Sequence, residues 1–430
     1  MINKFYEKIK TSVWLYPGLY SFFALILAIV VYSLDSFYSE DISNYFYEFL
    51  FTTPSKAETI LGIVAGSFIT IATFTFSTTM IVLTMYSSQF TPRVVENFLN
   101  NEVTMKSFGV FLSGFIYAIT SLLFLQSDEG TSSVIAASIG VIYVILGLVY
   151  FLVFIQNVTS HIQANGLIMR LQKDASEKIK DYWELVNDAE IISGKDMDRI
   201  LGNKESFDVM APTDGYIQTV DYSSLEEIAH KYSLNISVHK VIGQFVSTER
   251  RIMEVYYDDE EIGKEEIIKK ISQCVMIGYK KTESQDFPFT IQKVSEIALK
   301  ALSPGINDPN TAIHCLQIIG LLLRDLAGIE RGYIMLKDND REGNVLLETY
   351  DFDILLYDAY NQIIHYGQED ASVMIATFKS LRLVKDNASK KNTGVLNYYA
   401  NELIERLMSN GYSSIDEKKI KKEHQDLIQR

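Results

Sequence analysis

The residues best suited to polar chemistry lie in the phrase Ala301-Leu-Ser-Pro-Gly-Ile-Asn-Asp-Pro-Asn-Thr-Ala312. Its Pro-Gly pair is typical of a turn, and Asp308-Pro309 is a good N-cap and first-turn pair for a helix running to about Leu326. Two interpretations stay open: a capped helix–loop–helix corner, or a polar site whose helix N-terminus receives an anionic group. We name the candidate residues the Asn307–Asp308 corner: Ser303, Asn307, Asp308, Asn310 and His314.

A second candidate lies along the apolar run Ile60–Tyr86. Steps of four and three residues place small and hydroxyl side chains on one helical face. Such a face could line a pore, where hydroxyls offer donors and acceptors to a hydrated ion or small solute. Small residues, Ser and Thr also mediate contacts between membrane helices, so helix packing is the alternative. We name this face the second-span stripe: Gly66, Thr70, Thr73, Ser77, Met80 and Thr84, continuing to Ser87.

No other motif predicts catalysis or metal binding. The sequence lacks a phosphate-binding glycine loop, a G-x-S-x-G elbow and an H-E-x-x-H motif, and its six histidines show no ligand spacing. Cys274 and Cys315 are too few and too far apart for a disulfide framework or a metal site. The turn from Asp338 resembles a calcium loop, but Thr349 occupies its closing position, so a surface hairpin is the better interpretation. We predict no catalytic residue, no metal and no cofactor.

Four long apolar segments must position these residues. None of them contains an Asp, Glu, Lys, Arg or His, and each is close to the roughly 20 residues that cross a bilayer core. They predict four transmembrane helices, and their lack of charge argues against a proton-coupled pump. The four segments are Leu15–Leu34, Ile60–Tyr86, Phe108–Leu125 and Val134–Ile155.

Charges between the spans predict their orientation. Lysines precede the first span, Arg93 and Lys106 follow the second, and Arg170 and Lys173 follow the fourth, while the other two loops are mainly acidic. Because Lys and Arg favour the cytoplasmic side, we expect both termini in the cytoplasm. Of the net charge of −15, residues 1–170 carry −3 and the remainder −12. This acidity argues against nucleic acid as a partner.

The C-terminal part is predicted to be a cytoplasmic α+β domain. Segments 207–220 and 236–257 are rich in β-branched and aromatic residues, with a turn at Gly243 and an intervening short helix that begins at Ser223–Ser224. We expect a hairpin near 333–347 and helices over Phe352–Tyr366, Ala371–Lys385, Gly394–Ser409 and Ile415–Ile428. The predicted domain plan is a four-span domain (1–160), a helical linker (161–206), a small β-rich module (207–260) and a mainly helical domain (261–430).

Three phrases together resemble a family of predicted bacterial membrane proteins classed as a domain of unknown function. They are Ser87-Ser-Gln-Phe-Thr-Pro-Arg-Val-Val-Glu-Asn-Phe98, Ala211-Pro-Thr-Asp-Gly-Tyr-Ile217, and Gln285-Asp-Phe-Pro-Phe-Thr-Ile-Gln292 leading into Ala301-Leu-Ser-Pro-Gly-Ile-Asn-Asp-Pro309. The resemblance implies a four-span inner-membrane protein with a cytoplasmic domain and supplies no activity. Family members often carry an aromatic residue after Asn-Asp-Pro, where this chain has Asn310.

The phrase beginning at Ala211 also resembles the small barrel-sandwich folds of biotinyl-lipoyl type domains. The modifiable lysine of such carriers is absent, so we predict a small β module for packing or ligand contact.

Two functions fit this architecture. One is an oligomeric ion channel or passive transport protein tuned by its cytoplasmic domain, because the stripe offers hydroxyls and the spans lack charge. The other is a membrane-anchored sensor or scaffold whose cytoplasmic domain binds a ligand or partner. Four spans are few for a path through one chain, so a pore predicts a homo-oligomer in the lipid bilayer. The sequence does not specify the ion or ligand, and no motif favours an enzyme.

Overall fold

The computed structural model of the protein describes residues 14–37, 50–94, 102–125, 134–187, 189–202, 204–258, 263–337 and 342–430. The chain divides into two compact units, Met1–Gly166 and Leu167–Arg430. The N-terminal lysines, the acidic residues of the third loop, and Asp338 and Asp340 lie outside the described residues. The predictions that rest on these residues, the membrane orientation and the character of the turn at Asp338, therefore stay predictions.

Four long helices in the first unit confirm the predicted spans. They are α1 (Leu15–Phe37), α2 (Pro54–Met85), α3 (Glu102–Phe124) and α4 (Ala136–Ile162). Among the described residues these four helices are long and apolar enough to cross a membrane. A π-helical turn, Tyr86–Phe90, continues α2, so this span reaches 37 residues. At 1.5 Å per residue it is about 55 Å long and must tilt or project beyond a hydrocarbon core of about 30 Å.

Helix α3 is the centre of the bundle. In the most apolar 18-residue stretch of α3, 56% of the residues are buried, whereas the corresponding share is 17% to 33% in the other three helices. Glycines let its neighbours approach closely: a Cβ at Gly109 would lie 2.8 Å from Cδ2 of Tyr20, and one at Gly114 would lie 2.5 Å from Cε2 of Phe68. Four small residues of α3 are therefore buried inside one chain: Gly109, Ser113, Gly114 and Ala118.

Asp35 belongs to the last turn of the first span and not to the following loop. Its carboxylate accepts hydrogen bonds from the backbone N–H groups of Ile135 (2.9 Å) and Ala136 (3.3 Å). These are among the unpaired donors at the start of α4, so Asp35 caps a neighbouring helix from a distance in sequence. The Tyr117 hydroxyl donates to the carbonyl of Ala136 at 2.9 Å and holds the same corner.

The second unit begins within α5 (Ala164–Asn187), and its described residues form two sheets. The larger has the order β1-β8-β9-β4-β6-β2; its β4–β9 pair is parallel and its other pairs are antiparallel. Its strands are β1 (Glu190–Ile192), β2 (Glu205–Met210), β4 (Asn235–Val238), β6 (Arg251–Tyr257), β8 (Tyr333–Lys337) and β9 (Asn344–Glu348). The smaller, antiparallel sheet has the order β5-β3-β7, with β3 (Gly215–Val220), β5 (Phe245–Val246) and β7 (Val275–Gly278).

The strands predicted as one small β module divide between these two sheets. The predicted hairpin is confirmed as β8 and β9, and β9 pairs with β4 of the module region. The sheet therefore joins residues 190 to 348 in one structure. The short helix between the strands is also confirmed, but its N-cap is Asp221 and not a serine, because the Asp221 carboxylate accepts the Ser224 N–H at 3.1 Å.

Helices complete the second unit. The four predicted C-terminal helices are confirmed as α11 (Phe352–Gly367), α12 (Ala371–Lys385), α13 (Lys390–Leu407) and α14 (Ser414–Gln429). They follow α9 (Phe287–Ala301) and the predicted α10 (Pro309–Arg324), both largely buried. Among the described residues, the unit also contains α6 (Gly194–Leu201), α7 (Tyr222–Lys231) and α8 (Lys264–Gln273).

Candidate functional site

The second-span stripe points away from the four-helix bundle. All of its members are exposed in the single chain, whereas the opposite face of α2 is buried against the other helices. That buried face consists of Ala57, Leu61, Val64, Ala65, Phe68, Ala72, Thr75, Thr79 and Val82. The stripe therefore contributes nothing to packing within one chain. Its remaining possible neighbours are lipid, a second copy of the chain, or the water of a pore.

The threonine hydroxyls of the stripe are already paired with their own helix. Thr70, Thr73 and Thr84 donate to the carbonyl oxygens four residues earlier, at 2.7 Å, 2.8 Å and 2.9 Å. Each hydroxyl has one donor and two acceptor lone pairs, so these side chains present only acceptors outward. At Gly66 an added Cβ would meet nothing within 4 Å, which makes the surface at this residue flat and open.

The stripe differs from the other outward faces of the bundle. On α1 and α4 most of the exposed positions carry large apolar side chains, as expected for contact with lipid tails. They include Phe22, Phe23, Ile26 and Ile29 on α1, and Ile142, Ile145, Leu148 and Leu152 on α4. Large apolar residues such as Ile63 and Ile81 flank the stripe on α2. Apart from Met80, the stripe is a small and hydroxyl surface between lipid-like flanks, which makes it the candidate functional face of α2.

The buried face of α2 also carries threonines, which can be compared with those of the stripe. Thr75 and Thr79 are at most 8% exposed, and within the described part of the chain their hydroxyl oxygens have no hydrogen-bond partner. These hydroxyls lie in the bundle interior and cannot line a path between subunits. They supply matched threonine controls on the same helix.

The Asn307–Asp308 corner has the geometry of a helix cap. Asp308 accepts the Thr311 N–H at 3.1 Å through Oδ1 and the Thr311 hydroxyl at 2.6 Å through Oδ2. These bonds lower the pKa of Asp308 below its ordinary value. Asn307 adopts a positive φ of 51° and its N–H donates to the Ser303 carbonyl at 2.9 Å, which closes the turn.

The other members of the corner do not converge on a cavity. Asn310 is exposed, His314 is half-buried one turn into α10, and the Ser303 hydroxyl donates to the carbonyl of Lys300 at 2.6 Å. The Asp308 carboxylate is thus occupied by the first turn of its own helix. Of the two interpretations of this segment, the geometry favours the capped corner.

A third place, which the sequence reasoning did not identify, is the carboxylate of Asp286. Asp286 is 1% exposed and caps α9, where its Oδ1 accepts the Phe289 N–H at 2.8 Å. Its Oδ2 has no hydrogen-bond partner among the described residues. A Cβ added at Gly243, which has a φ of +86°, would collide with this oxygen, so the carboxylate lies directly against the turn between β4 and β5.

Aromatic rings form the apolar surroundings of this carboxylate. The ring centroids of Phe287 and Tyr350 are 4.7 Å apart, and Tyr182 of α5 lies 5.4 Å from each of them. Burial in this environment raises the pKa of Asp286 to about 6, partly opposed by the Phe289 N–H and by the charges of Lys281 and Lys178. We name this group the Asp286 site: Asp286, Gly243, Tyr182, Phe287 and Tyr350.

The sequence offered one partial signal for this site. Asp286 belongs to the phrase Gln285–Gln292 that carries the family resemblance, but its neighbours Ser284 and Gln285 are exposed and typical of a surface loop. Asp308 stands in a similar position before a Pro-containing helix start and is only half-buried. The burial of Asp286 depends on tertiary packing against Gly243, which the local sequence does not reveal.

Comparisons with known proteins agree with a membrane assignment. The family described as "Predicted membrane protein (DUF2254)" matches residues 10–382. Uncharacterized proteins of Mycobacterium tuberculosis and Mycobacterium bovis are each 25% identical to this chain over 350 residues, which is 78% of the chain. The match covers 65% of the length of these curated relatives. No solved structure matches.

Proposed function

The chain belongs to the DUF2254 family of predicted membrane proteins, and we propose that it forms a homo-oligomeric channel or passive transport protein for small cations. Several copies surround a common axis, and each turns the second-span stripe of α2 toward it. The outward direction of the stripe carries this proposal, because the stripe crosses the span between lipid-like flanks and packs against nothing in its own chain. The proposal includes no catalytic step.

The hydroxyl geometry supports cations over anions. Thr70, Thr73 and Thr84 donate their protons to their own helix, so the oxygen lone pairs are the groups left to face the axis. Oxygen acceptors replace the hydration shell of a cation and offer nothing to an anion. The described parts of the four spans present no cationic side chain along the stripe that would attract an anion.

We place this channel in the bacterial inner membrane with both termini in the cytoplasm. The distribution of Lys and Arg between the spans supports this orientation. The second unit, with most of the net negative charge, then faces the cytoplasm, where it can tune the opening of the path.

Ion flux into liposomes that contain the purified full chain tests the proposal. We expect potassium flux that exceeds chloride flux. Thr73→Val keeps the shape of the side chain and removes its oxygen, and should reduce cation flux by about twofold to tenfold if one hydrogen-bond acceptor is lost per subunit. Ser77→Leu should block flux because it fills the axis with an apolar side chain.

Thr75→Val on the buried face is the matched control. It removes the same oxygen from the same helix, but Thr75 is 0% exposed and its hydroxyl has no partner in the described structure. Flux through this variant should equal that of the wild type. The absence of flux over a broad panel of ions, or equal effects of Thr73→Val and Thr75→Val, would refute the channel proposal.

A second candidate function is a membrane-anchored sensor or scaffold. The Asp286 site favours it, because a buried carboxylate with an unpaired oxygen is a chemically responsive group inside the C-terminal unit. Under this alternative the second-span stripe serves only for packing between copies. Bulky substitutions that preserve packing would then leave function intact, and a thermal-shift screen would find a ligand whose binding depends on the C-terminal unit.

A further inference from the structure

Asp286 lies where three elements of the C-terminal unit meet. These are the N-terminus of α9, the turn between β4 and β5, and strand β3. The Gly243 N–H donates to the Ile217 carbonyl at 2.9 Å, and the Ile217 N–H donates to the Gln244 carbonyl at 3.0 Å. The turn that touches Asp286 is therefore tied to β3 by two backbone hydrogen bonds.

The residue before Asp286 ties the same strand to α9. The side-chain oxygen of Gln285 accepts the Val220 N–H at 3.0 Å, and its amide nitrogen donates to the Val220 carbonyl at 3.4 Å. Gln285 thus holds the end of β3 while Asp286 faces the adjacent turn. Asp286 therefore lies at the contact between the three-stranded sheet and α9.

Two cations face this carboxylate without forming a salt bridge to it in the described structure. Lys178 of α5 pairs with Asp174 and lies 3.4 Å from the Thr290 hydroxyl oxygen. Lys281 lies 5.8 Å from the ring centroids of Tyr216 and Phe289, and its charge also acts on Asp358 of α11. These cations oppose the effect of burial only partly.

The remaining titratable groups that face Asp286 are tyrosine hydroxyls. Tyr350 follows β9 and is half-buried, and Tyr182 of α5 and Tyr222 of α7 lie near it. Burial raises the pKa of each of the three above its ordinary value, so all stay neutral in the cytoplasmic pH range. They supply no charge that would compensate an ionised Asp286.

We propose that Asp286 is a proton-operated switch that sets how firmly the β4–β5 turn and the three-stranded sheet hold onto α9. A proton from solution binds Oδ2, removes the uncompensated charge beside Gly243 and tightens the contact. Loss of the proton leaves a buried carboxylate against the backbone, and the turn opens more often to admit water. The switch concerns the C-terminal unit alone and operates whether or not the chain conducts ions.

The direction of the effect follows from the folded and open states. The pKa of Asp286 is raised to about 6 in the fold, from 3.8 when it is solvated. The fold therefore favours the protonated form, and the stability of the closed turn falls as the pH rises through this interval. With these two pKa values, the equilibrium constant for opening of the β4–β5 turn should increase about tenfold between about pH 5 and about pH 8.

Hydrogen–deuterium exchange of the full chain in detergent tests this switch. The readout is the protection of residues 241–246 between about pH 5 and about pH 8, corrected for the intrinsic pH dependence of amide exchange. In the wild-type protein, the protection factor of these residues should fall about tenfold from about pH 5 to about pH 8. Asp286→Asn, which keeps the shape and removes the charge, should stay protected with a flat profile.

Asp308→Asn is the matched control, because Asp308 also caps a helix but has a lowered pKa and a satisfied carboxylate. Its profile for residues 241–246 should equal that of the wild type. A wild-type profile that does not change with pH would overturn the proposal, and this measurement does not depend on the folding of any variant. Asp286→Asn that keeps the wild-type pH dependence would overturn it equally.

Discussion

The packing of Phe68 yields the sharpest prediction for the membrane unit. Its ring is enclosed between two glycines: a Cβ at Gly114 of α3 would lie 2.5 Å from Cε2, and one at Gly147 of α4 would lie 2.6 Å from Cε1 on the other edge of the ring. Ordinary carbon contacts are about 3.5–4.0 Å, so Gly114→Ala requires a shift of about 1 Å. The ring cannot make that shift without approaching Gly147. We expect a loss of about 1–3 kcal/mol in unfolding free energy, the usual cost of overpacking.

Denaturant unfolding in detergent measures this loss, and a double-mutant cycle identifies its cause. Phe68→Leu shortens the side chain and should relieve much of the strain in Gly114→Ala, with a coupling energy of about 1 kcal/mol or more. Gly66→Ala is the control, because an added Cβ there meets nothing within 4 Å. It should leave stability unchanged or slightly raised. Strictly additive effects of Gly114→Ala and Phe68→Leu would refute the assignment of Phe68 to this space.

Two further predictions concern helix caps. Asp35→Ala removes the acceptor of two backbone N–H groups at the start of α4 and should lower the unfolding free energy in detergent by about 1 kcal/mol, while Asp35→Asn should lose less; an unchanged value would contradict the tertiary cap. Asp308→Ala should cost about 1 kcal/mol in a thermal unfolding assay, and Asn310→Ala should cost nothing measurable. Because the pKa of Asp308 is lowered, its stabilisation is present above the unfolded pKa and should be lost as the pH falls through the folded pKa.

The membrane helices were predictable from the sequence because their signal is local. Uncharged runs of about 20 residues have few alternatives to a transmembrane helix. Periodicity also identified the second-span stripe, but it could not show which way the stripe points. The stripe points outward because the other face of α2 packs against α3 and α4. That contact is made where the Phe68 ring meets Gly114 and Gly147, which are distant from it in the sequence.

The C-terminal unit shows the same limit. Hairpin and helix patterns located β8, β9 and the last four helices, but strand pairing between distant segments was not visible. The parallel pairing of β4 with β9 joins residues about 110 positions apart, and no local pattern encodes such a contact. Asp308 was recognised as a cap because its partners are three residues away, whereas the burial of Asp286 depends on Gly243, 43 residues earlier.

The accessibility of a cysteine placed in the second-span stripe tests the central claim most directly. The native thiols are suitable as background, since Cys274 and Cys315 are buried and burial raises their pKa, which keeps them from reacting as thiolates. In membranes, Ser77→Cys should react with a charged thiol reagent that cannot cross lipid, and the reaction should block cation flux. Ile145→Cys on the lipid-like face of α4 should not react. A Ser77→Cys thiol as unreactive as Ile145→Cys would contradict a water-filled path along α2.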